Sequence, residues 1–371
     1  MTEPEIIQTE INKIFKHIHA HPELSLQEVQ TTQYIFNYLQ KRGFSPVKFE
    51  DFPGLYCDIG DFSESSVKIG VRADIDALWQ EVNGVEQANH SCGHDAHTAM
   101  VIGAMLMLKD NIPENKGVRF VFQPAEEIGL GAQKINETGI INDLDYMFGI
   151  HLRPIEEAKS GYISPSIEHG ATGSIAFKII GEDAHGARPH LNTNAIEIGS
   201  TIVAMLENIH VNPMIPHSIK VTKFHAGGQS LNIIPGSVSM GIDLRAQTNK
   251  VMDKIINEVM DVLKTIETLY EVEVDIEESQ KMVASESHED AIDVLREAII
   301  STVGEEYLID PIITSGGDDF HFYTVGNPHL KGAMIGLGCN LTPGLHHPYM
   351  KFDYDMMPVG AQVIYEAIMK V

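Results

Sequence analysis

The chain has little cysteine, almost no tryptophan, few positive charges and no long apolar run. Three cysteines occur in 371 residues, Cys57, Cys92 and Cys339. That number is odd and the spacing wide, which excludes a disulfide framework and fits a reducing, cytoplasmic compartment. Lys and Arg total 26 against 52 Asp and Glu, a formal charge of −26. Such a surface repels phosphate backbones and anionic lipid, so neither nucleic acid nor membrane is expected as a partner. No stretch approaches the ~20 apolar residues that span a bilayer. The acidic start, M-T-E-P-E-I-I-Q-T-E, lacks the basic and apolar regions of a secretory signal. Internal repeats, low-complexity tracts and Ser/Gly-rich linkers are missing too. What is present is an ordinary globular composition, 43% hydrophobic, in a chain long enough for two domains.

The densest chemistry lies in H-S-C-G-H-D-A-H, His90 to His97. A thiol and imidazoles this close suit a borderline-soft cation such as Zn²⁺, Co²⁺ or Mn²⁺. Gly93 lets the backbone turn between Cys92 and His94. Taken alone, the stretch reads equally well as a polar turn ahead of a helix.

The surrounding pattern supplies more. Apolar spacing predicts two helices between Glu5 and Leu39, broken at His21-Pro22. A strand over Val67–Arg72 delivers Asp74 and Asp76. A buried helix follows over Thr98–Leu108, then a strand over Gly117–Gln123 ending at Pro124 before Glu126 and Glu127. Another strand, Tyr146–Ile150, ends in His151. Alternating strands and helices of this kind predict an α/β sheet with parallel members, whose sites collect beyond the C-terminal strand ends. Asp74, Asp76, Glu126, Glu127 and His151 all fall there.

From Gly173 the rhythm becomes strand, helix, strand, strand, helix, strand, the order of a ferredoxin-like unit. The expected division is a catalytic domain over 1–168 and 281–371, interrupted by an inserted α+β domain over 169–280. The catalytic part resumes with a helix over Glu289–Val303, a strand over Gly332–Leu337 and a final helix over Asp355–Val371.

Adjacent carboxylates at Glu126-Glu127 usually mark a solvated turn. Here they follow a buried strand, and two adjacent side chains point differently. One can hold a metal while the other moves the proton of a water, the pair that metal-assisted hydrolysis needs. His151 and one of His346-His347 are further ligand candidates. The trio His17, His19 and His21 reads as structural, with His21 packing or hydrogen bonding near the metal domain. His185, in a Gly-bounded turn of the inserted domain, is a candidate electrophile. Asn232 and Arg245 are candidates to grip a substrate carboxylate.

R-A-D-I-D-A-L, H-S-C-G-H-D-A-H, Q-P-A-E-E, G-I-H-L, A-H-G-A-R-P-H, G-G-Q-S-L-N-I-I-P and L-H-H-P occur in that order. Together they resemble the metal-dependent amidohydrolases related to aminoacylase and hippurate hydrolase, peptidase family M20. The resemblance covers nearly the whole chain. It implies a zinc-peptidase-like catalytic domain with a mixed sheet and two divalent cations per subunit (Zn, Mn, Co or Ni). It also implies a ferredoxin-like lid that forms a homodimer. By motif, the implied metal ligands are Cys92, His94, Glu127, His151 and His346. Glu126 takes the general acid/base position, His185 the lid histidine position, and Asn232 and Arg245 the substrate-binding positions.

Two departures stand out. Trp79 occupies a place where many relatives carry proline, and Gly316-Gly317-Asp318-Asp319-Phe320 lacks a glutamate that many relatives carry. Both are expected near a substrate side chain. The expected activity is hydrolysis of an N-acyl amino acid or related small amide. The alternatives are a dipeptidase or carboxypeptidase on the same site, and a metal-independent thiol hydrolase using Cys92.

Overall fold

The computed structural model describes residues 3–371, which divide into two units. Unit 1 comprises Met1–Glu168, Glu286–Ile313 and Asp318–Val371, and unit 2 comprises His169–Ser285 with Thr314–Gly317.

Unit 1 is built on a seven-stranded sheet. Its middle strands, Lys116–Gln123, Val67–Asp74, Tyr146–Pro154 and Lys331–Leu341, run parallel in that spatial order. Antiparallel strands flank them, Leu55–Gly60 on one side and Ile163–Ser164 on the other. The middle strands are buried almost end to end, as parallel strands covered on both faces must be. One face packs on the helices Glu3–His19, His94–Leu108, Glu289–Val303 and Met356–Lys370. The other carries a smaller core around Val121, Ile135, Met147, Phe320 and Tyr323. The His94–Leu108 helix is apolar on every side and almost wholly buried, as a helix in the middle of a core should be.

Unit 2 is a four-stranded antiparallel sheet. In spatial order its strands are His217–Ala226, Val238–Ala246, Ala171–Ile180 and Glu273–Met282. Helices Ala195–Leu206 and Asn249–Tyr270 supply the rest of its core. This is the β-α-β-β-α-β order of a ferredoxin-like fold. The chain is thus an α/β protein with a mixed sheet and a second, α+β unit.

Two local differences from the sequence reading matter. His151 sits inside its strand, because Leu152, Arg153 and Pro154 continue the pairing with Lys331–Leu341. The buried charge of Arg153 interrupts the apolar run that would have announced this. The hairpin Leu78–Val82 and Val85–Asn89 was not anticipated. Its signal was Asn83-Gly84, flanked by alternation; both residues adopt positive φ, 55° and 80°, as a tight hairpin turn requires. No helix among the described residues is long and apolar enough to cross a membrane.

Candidate metal centre

The N-terminal end of the buried helix brings Cys92 and His94 under the C-terminal ends of the parallel strands. Gly93 between them has φ 93°. That is a conformation any residue with a Cβ resists, and a Cβ there would also lie 2.8 Å from Leu152. His94 is fully buried, and its Nδ1–H donates to the Asp76 carboxylate at 3.0 Å. Its Nε2 has no hydrogen-bond partner among the described residues. Its charged form is favoured: burial opposes it, but Asp74 and Cys92 more than compensate. His151 donates from Nδ1 to the Leu152 carbonyl at 2.7 Å, and its Nε2 lies 3.5 Å from Cys92 Sγ. Burial, His97 and Arg153 keep that ring neutral. Each imidazole therefore engages a protein acceptor through Nδ1 and turns Nε2 inward; on neutral His151 that nitrogen carries a lone pair, and on His94 a cation among these carboxylates would take the place of the Nε2 proton.

His97 differs. Its Nδ1–H donates to Asp74 at 2.8 Å and its Nε2 accepts from the Leu152 N–H at 3.1 Å. Both nitrogens are occupied, so His97 has no lone pair to offer.

The Pro124–Glu127 turn supplies carboxylates. Ala125 has φ 56°, and the reversal sends the two glutamates in different directions. Glu127 faces Cys92 and His346, with His346 Nε2 3.4 Å from its carboxylate. Its other oxygen is buried without a partner among the described residues. Glu126 faces Asp318 and Asp319 and accepts from the Asp319 N–H at 3.4 Å. Burial, then Asp318, Glu127 and Asp319, push the Glu126 carboxyl well above the usual carboxylate range. Burial raises Glu127 to about 7.

Among the described residues, five groups of three donors have their atoms within 4.8 Å of one another, among them His94–Glu126–Glu127 and Glu126–Asp318–Asp319; the two triads that contain the thiol are Cys92–His94–His151 and Cys92–Glu127–His346. These two share the Cys92 sulfur. Six carboxylates, Asp74, Asp76, Glu126, Glu127, Asp318 and Asp319, crowd this region with Arg72 as the buried guanidinium among them. That imbalance, the orphaned His94 Nε2 and the orphaned Glu127 oxygen all fit divalent cations. Imidazole, thiolate and carboxylate donors together suit zinc-like ions.

Three residues outside the expected ligand set hold this arrangement, Glu28 among them without any signal in the sequence. His19, not His21, reaches the site: its Nδ1 pairs with Asp95 at 2.6 Å, whereas His21 turns back to the His17 carbonyl. Glu28 is fully buried and accepts the Ala125 N–H at 2.8 Å, pinning the left-handed turn. Asp76 joins His94 to the Glu127 N–H. The expectation for Asp318 and Asp319 changes as well. Both are buried; Asp319 accepts from Arg72, Gln123 and the Ala132 N–H, so the pair packs beneath Glu126 within unit 1.

Cys92, His94, Glu126, Glu127, His151 and His346 are thus gathered in unit 1. The other three candidates lie in unit 2. His185 pairs with Ile233, and Gly186 N–H donates to the Asn232 carbonyl at 2.7 Å, so His185 and Asn232 share one loop cluster. Arg245 is elsewhere. It pairs with Thr172, while Val238, at the other end of the same strand, pairs with Ile179 beside the His185 segment. Seven residues of strand, about 23 Å, separate the two ends. The Arg245 guanidinium meets Asp243 at 2.9 and 3.0 Å.

The sequence matches the profile of Peptidase family M20/M25/M40 over residues 70–370. It is 29% identical over 372 residues to an N-acetyl-L-cysteine deacetylase of Bacillus subtilis, covering 97% of this chain and 88% of that protein. It is 28% identical over 338 residues to the hippurate hydrolase of Campylobacter jejuni, covering 86% and 87%. Among solved structures, a dinuclear metal-binding peptidase of the M20 family from Bacillus subtilis superposes with a TM-score of 0.80. That match has 26% identity and covers 98% of both chains. The shared fold, the paired donor triads and the match over most of the chain lead to one conclusion: the chain belongs to Peptidase family M20/M25/M40 and is a metal-dependent amidohydrolase.

Proposed function

We propose that this enzyme hydrolyses the amide bond of N-acyl amino acids or similar small amide conjugates. Two divalent cations (Zn, Mn, Co or Ni) would be held by Cys92, His94 and His151 on one side and Cys92, Glu127 and His346 on the other. The observation that carries the reading is Glu126, a buried carboxyl beside both triads and a member of neither, with a raised proton affinity. Bound there, such cations supply Lewis acidity toward a carbonyl oxygen and acidify water. Glu126 takes the proton of the attacking water and returns it to the departing nitrogen. Asp76 and the Leu152 carbonyl hold the His94 and His151 imidazoles by their Nδ1 atoms.

His185 is assigned to the developing oxyanion, and Asn232 and Arg245 to the substrate's polar groups. The layout of unit 2 supports a homodimer: Asn232 lies in the loop cluster of His185, near the Val238 end of a strand whose Arg245 end is about 23 Å away, which favours their reaching one small carboxylate from two copies of unit 2. The names of the relatives support the substrate class, and the free, buried state of all three thiols suits a cytoplasmic setting. A thiol hydrolase is disfavoured, because a reactive cysteine needs electropositive, accessible surroundings. Cys92 is buried beside Glu127, and burial pushes its thiol well up.

The test is a panel of acetyl-, benzoyl- and indoleacetyl-amino acids beside dipeptides, run with and without chelator. Hydrolysis of the acyl-amino acids that chelation abolishes and added Zn²⁺, Mn²⁺ or Co²⁺ restores is the expected result. Activity on dipeptides alone overturns the substrate class, and activity that survives chelation overturns the metal reading.

A further inference from the structure

The six gathered side chains are not held equally. His94 and His151 are buried and each is locked by a bond from Nδ1. The His346 side chain is 54% exposed, so packing cannot aim it. Its backbone is also in a disfavoured state, with φ 63° at a residue that carries a Cβ. Something must hold it there.

Both backbone polar groups of His346 are taken by one short stretch of chain. Its N–H donates to the Ser91 carbonyl at 2.7 Å, and its carbonyl accepts from Gln80 Nε2 at 2.7 Å. Gln80 is itself fixed, since its side-chain oxygen accepts from Ser91 Oγ at 2.9 Å and Asn89 Nδ2 at 3.1 Å. Asn89 also donates to the Pro348 carbonyl at 3.1 Å. At the hairpin tip the Asn83 N–H donates to the Tyr349 hydroxyl at 3.1 Å. The Leu78–Asn89 hairpin thus grips the 346–349 segment at several points, across 266 positions of sequence for Gln80, and runs directly into Ser91 and Cys92.

We propose that Gln80 is a positioning residue whose amide clasps the left-handed backbone of His346, and that this clasp governs retention of one cation, the one assigned to Cys92, Glu127 and His346. The inference rests on the ligand reading of His346 given above. Loss of the amide donor leaves the His346 carbonyl without its partner and lets an exposed ring swing away from Glu127. The Cys92–His94–His151 triad does not touch Gln80 and keeps its own locks.

The experiment is stepwise metal removal from zinc-reconstituted enzyme with graded chelator, zinc content being read by elemental analysis. Gln80→Met, close to glutamine in shape but without the donor, is expected to release one of two zinc ions at about 10–100-fold lower chelator concentration, the range for losing a group that orients a ligand. The second ion should leave as in the wild type. Ser91→Ala, which keeps the Gln80 donor but removes one of the two hydrogen bonds to its oxygen, should move the same step by less. In a His346→Ala background Gln80→Met should add nothing, because the clasp then has no ring to aim. Unchanged release from Gln80→Met while His346→Ala loses an ion refutes the clasp and leaves the ligand reading standing. Two zinc ions held normally by His346→Ala overturn the ligand reading and the clasp with it. Parallel weakening of both ions, with a lower melting temperature of the metal-free protein, means the hairpin merely collapsed and also refutes the proposal.

Discussion

Neighbouring residues of one chemical type meet different surroundings here, because the backbone between strand and helix reverses at Ala125. Glu127 turns toward Cys92 and His346, and Glu126 toward Asp318 and Asp319. The two should respond differently to the same substitution. Glu126→Gln is expected to keep its metal and lose roughly 10²–10⁴-fold in turnover, the cost of removing general acid/base help. Glu127→Gln should instead come out of purification short of metal. Elemental analysis of both proteins decides, and a metal-free Glu126→Gln reverses the roles. Glu28 gives a prediction with a pH axis. Burial, aided by the nearby Asp76, raises its carboxyl from 4.5 to about 7. Between those values the folded protein keeps a proton that the unfolded chain releases, so this residue's contribution to stability falls as pH rises through the window and is level above it. Glu28→Gln cannot ionise and still offers an oxygen to the Ala125 N–H. Its advantage over the wild type should grow from pH 4.5 to 7, reaching about 3 kcal/mol. Denaturant unfolding across that range measures it, and a gap independent of pH counts against a buried, protonated Glu28.

At the scale of elements, regular patterns were legible and junctions were not. The apolar run before Leu108, the strand ending at Gln123 and the helix Glu289–Val303 follow from periodicity, and the ferredoxin-like unit from its order of elements. Side chains gathered in unit 1 could be recognised because short motifs name them. Their supports could not: His19, Glu28 and Gln80 act through contacts 76, 97 and 266 residues away, and no local pattern encodes such a pairing. The asparagine–glycine turn of the hairpin was readable, but its grip on His346 was not. One junction is constrained by space alone. At Gly131, where the Gly131–Thr138 helix begins, a Cβ would lie 1.8 Å from the Pro124 carbonyl and 2.7 Å from Gln123 Nε2. Backbone occupies the first of these positions, so the turn itself must shift. Gly131→Ala is expected to lower the melting temperature and to reduce metal content together, because the displaced turn carries Glu126 and Glu127. Full metal content in a destabilised Gly131→Ala protein would mean that helix and turn move independently.

At the scale of the whole molecule, the candidate residues divide between the units: the gathered donors lie in unit 1, and His185, Asn232 and Arg245 in unit 2. Asn232 and His185 share one end of the unit 2 sheet and Arg245 lies at the other, a separation that the motifs, read along the sequence, could not reveal. If all three act on one substrate, two copies of the chain must contribute. His185 and Asn232 then come from one protomer and Arg245 from its partner. Subunit mixing tests this without any further structure. His185→Ala and Glu126→Gln proteins should each be nearly inactive. In a mixed dimer, the protomer bearing His185→Ala keeps Glu126 and receives an intact His185 from its partner, so one of the two sites is whole. With random exchange, half the dimers are mixed and half of their sites are whole, so activity should rise to about a quarter of wild type per chain. If His185 serves its own chain, every site in every dimer carries one defect and mixing restores nothing. A fully active monomer by light scattering removes the partner from the reaction altogether, and one copy of unit 2 would then have to serve the substrate from a single end of its sheet.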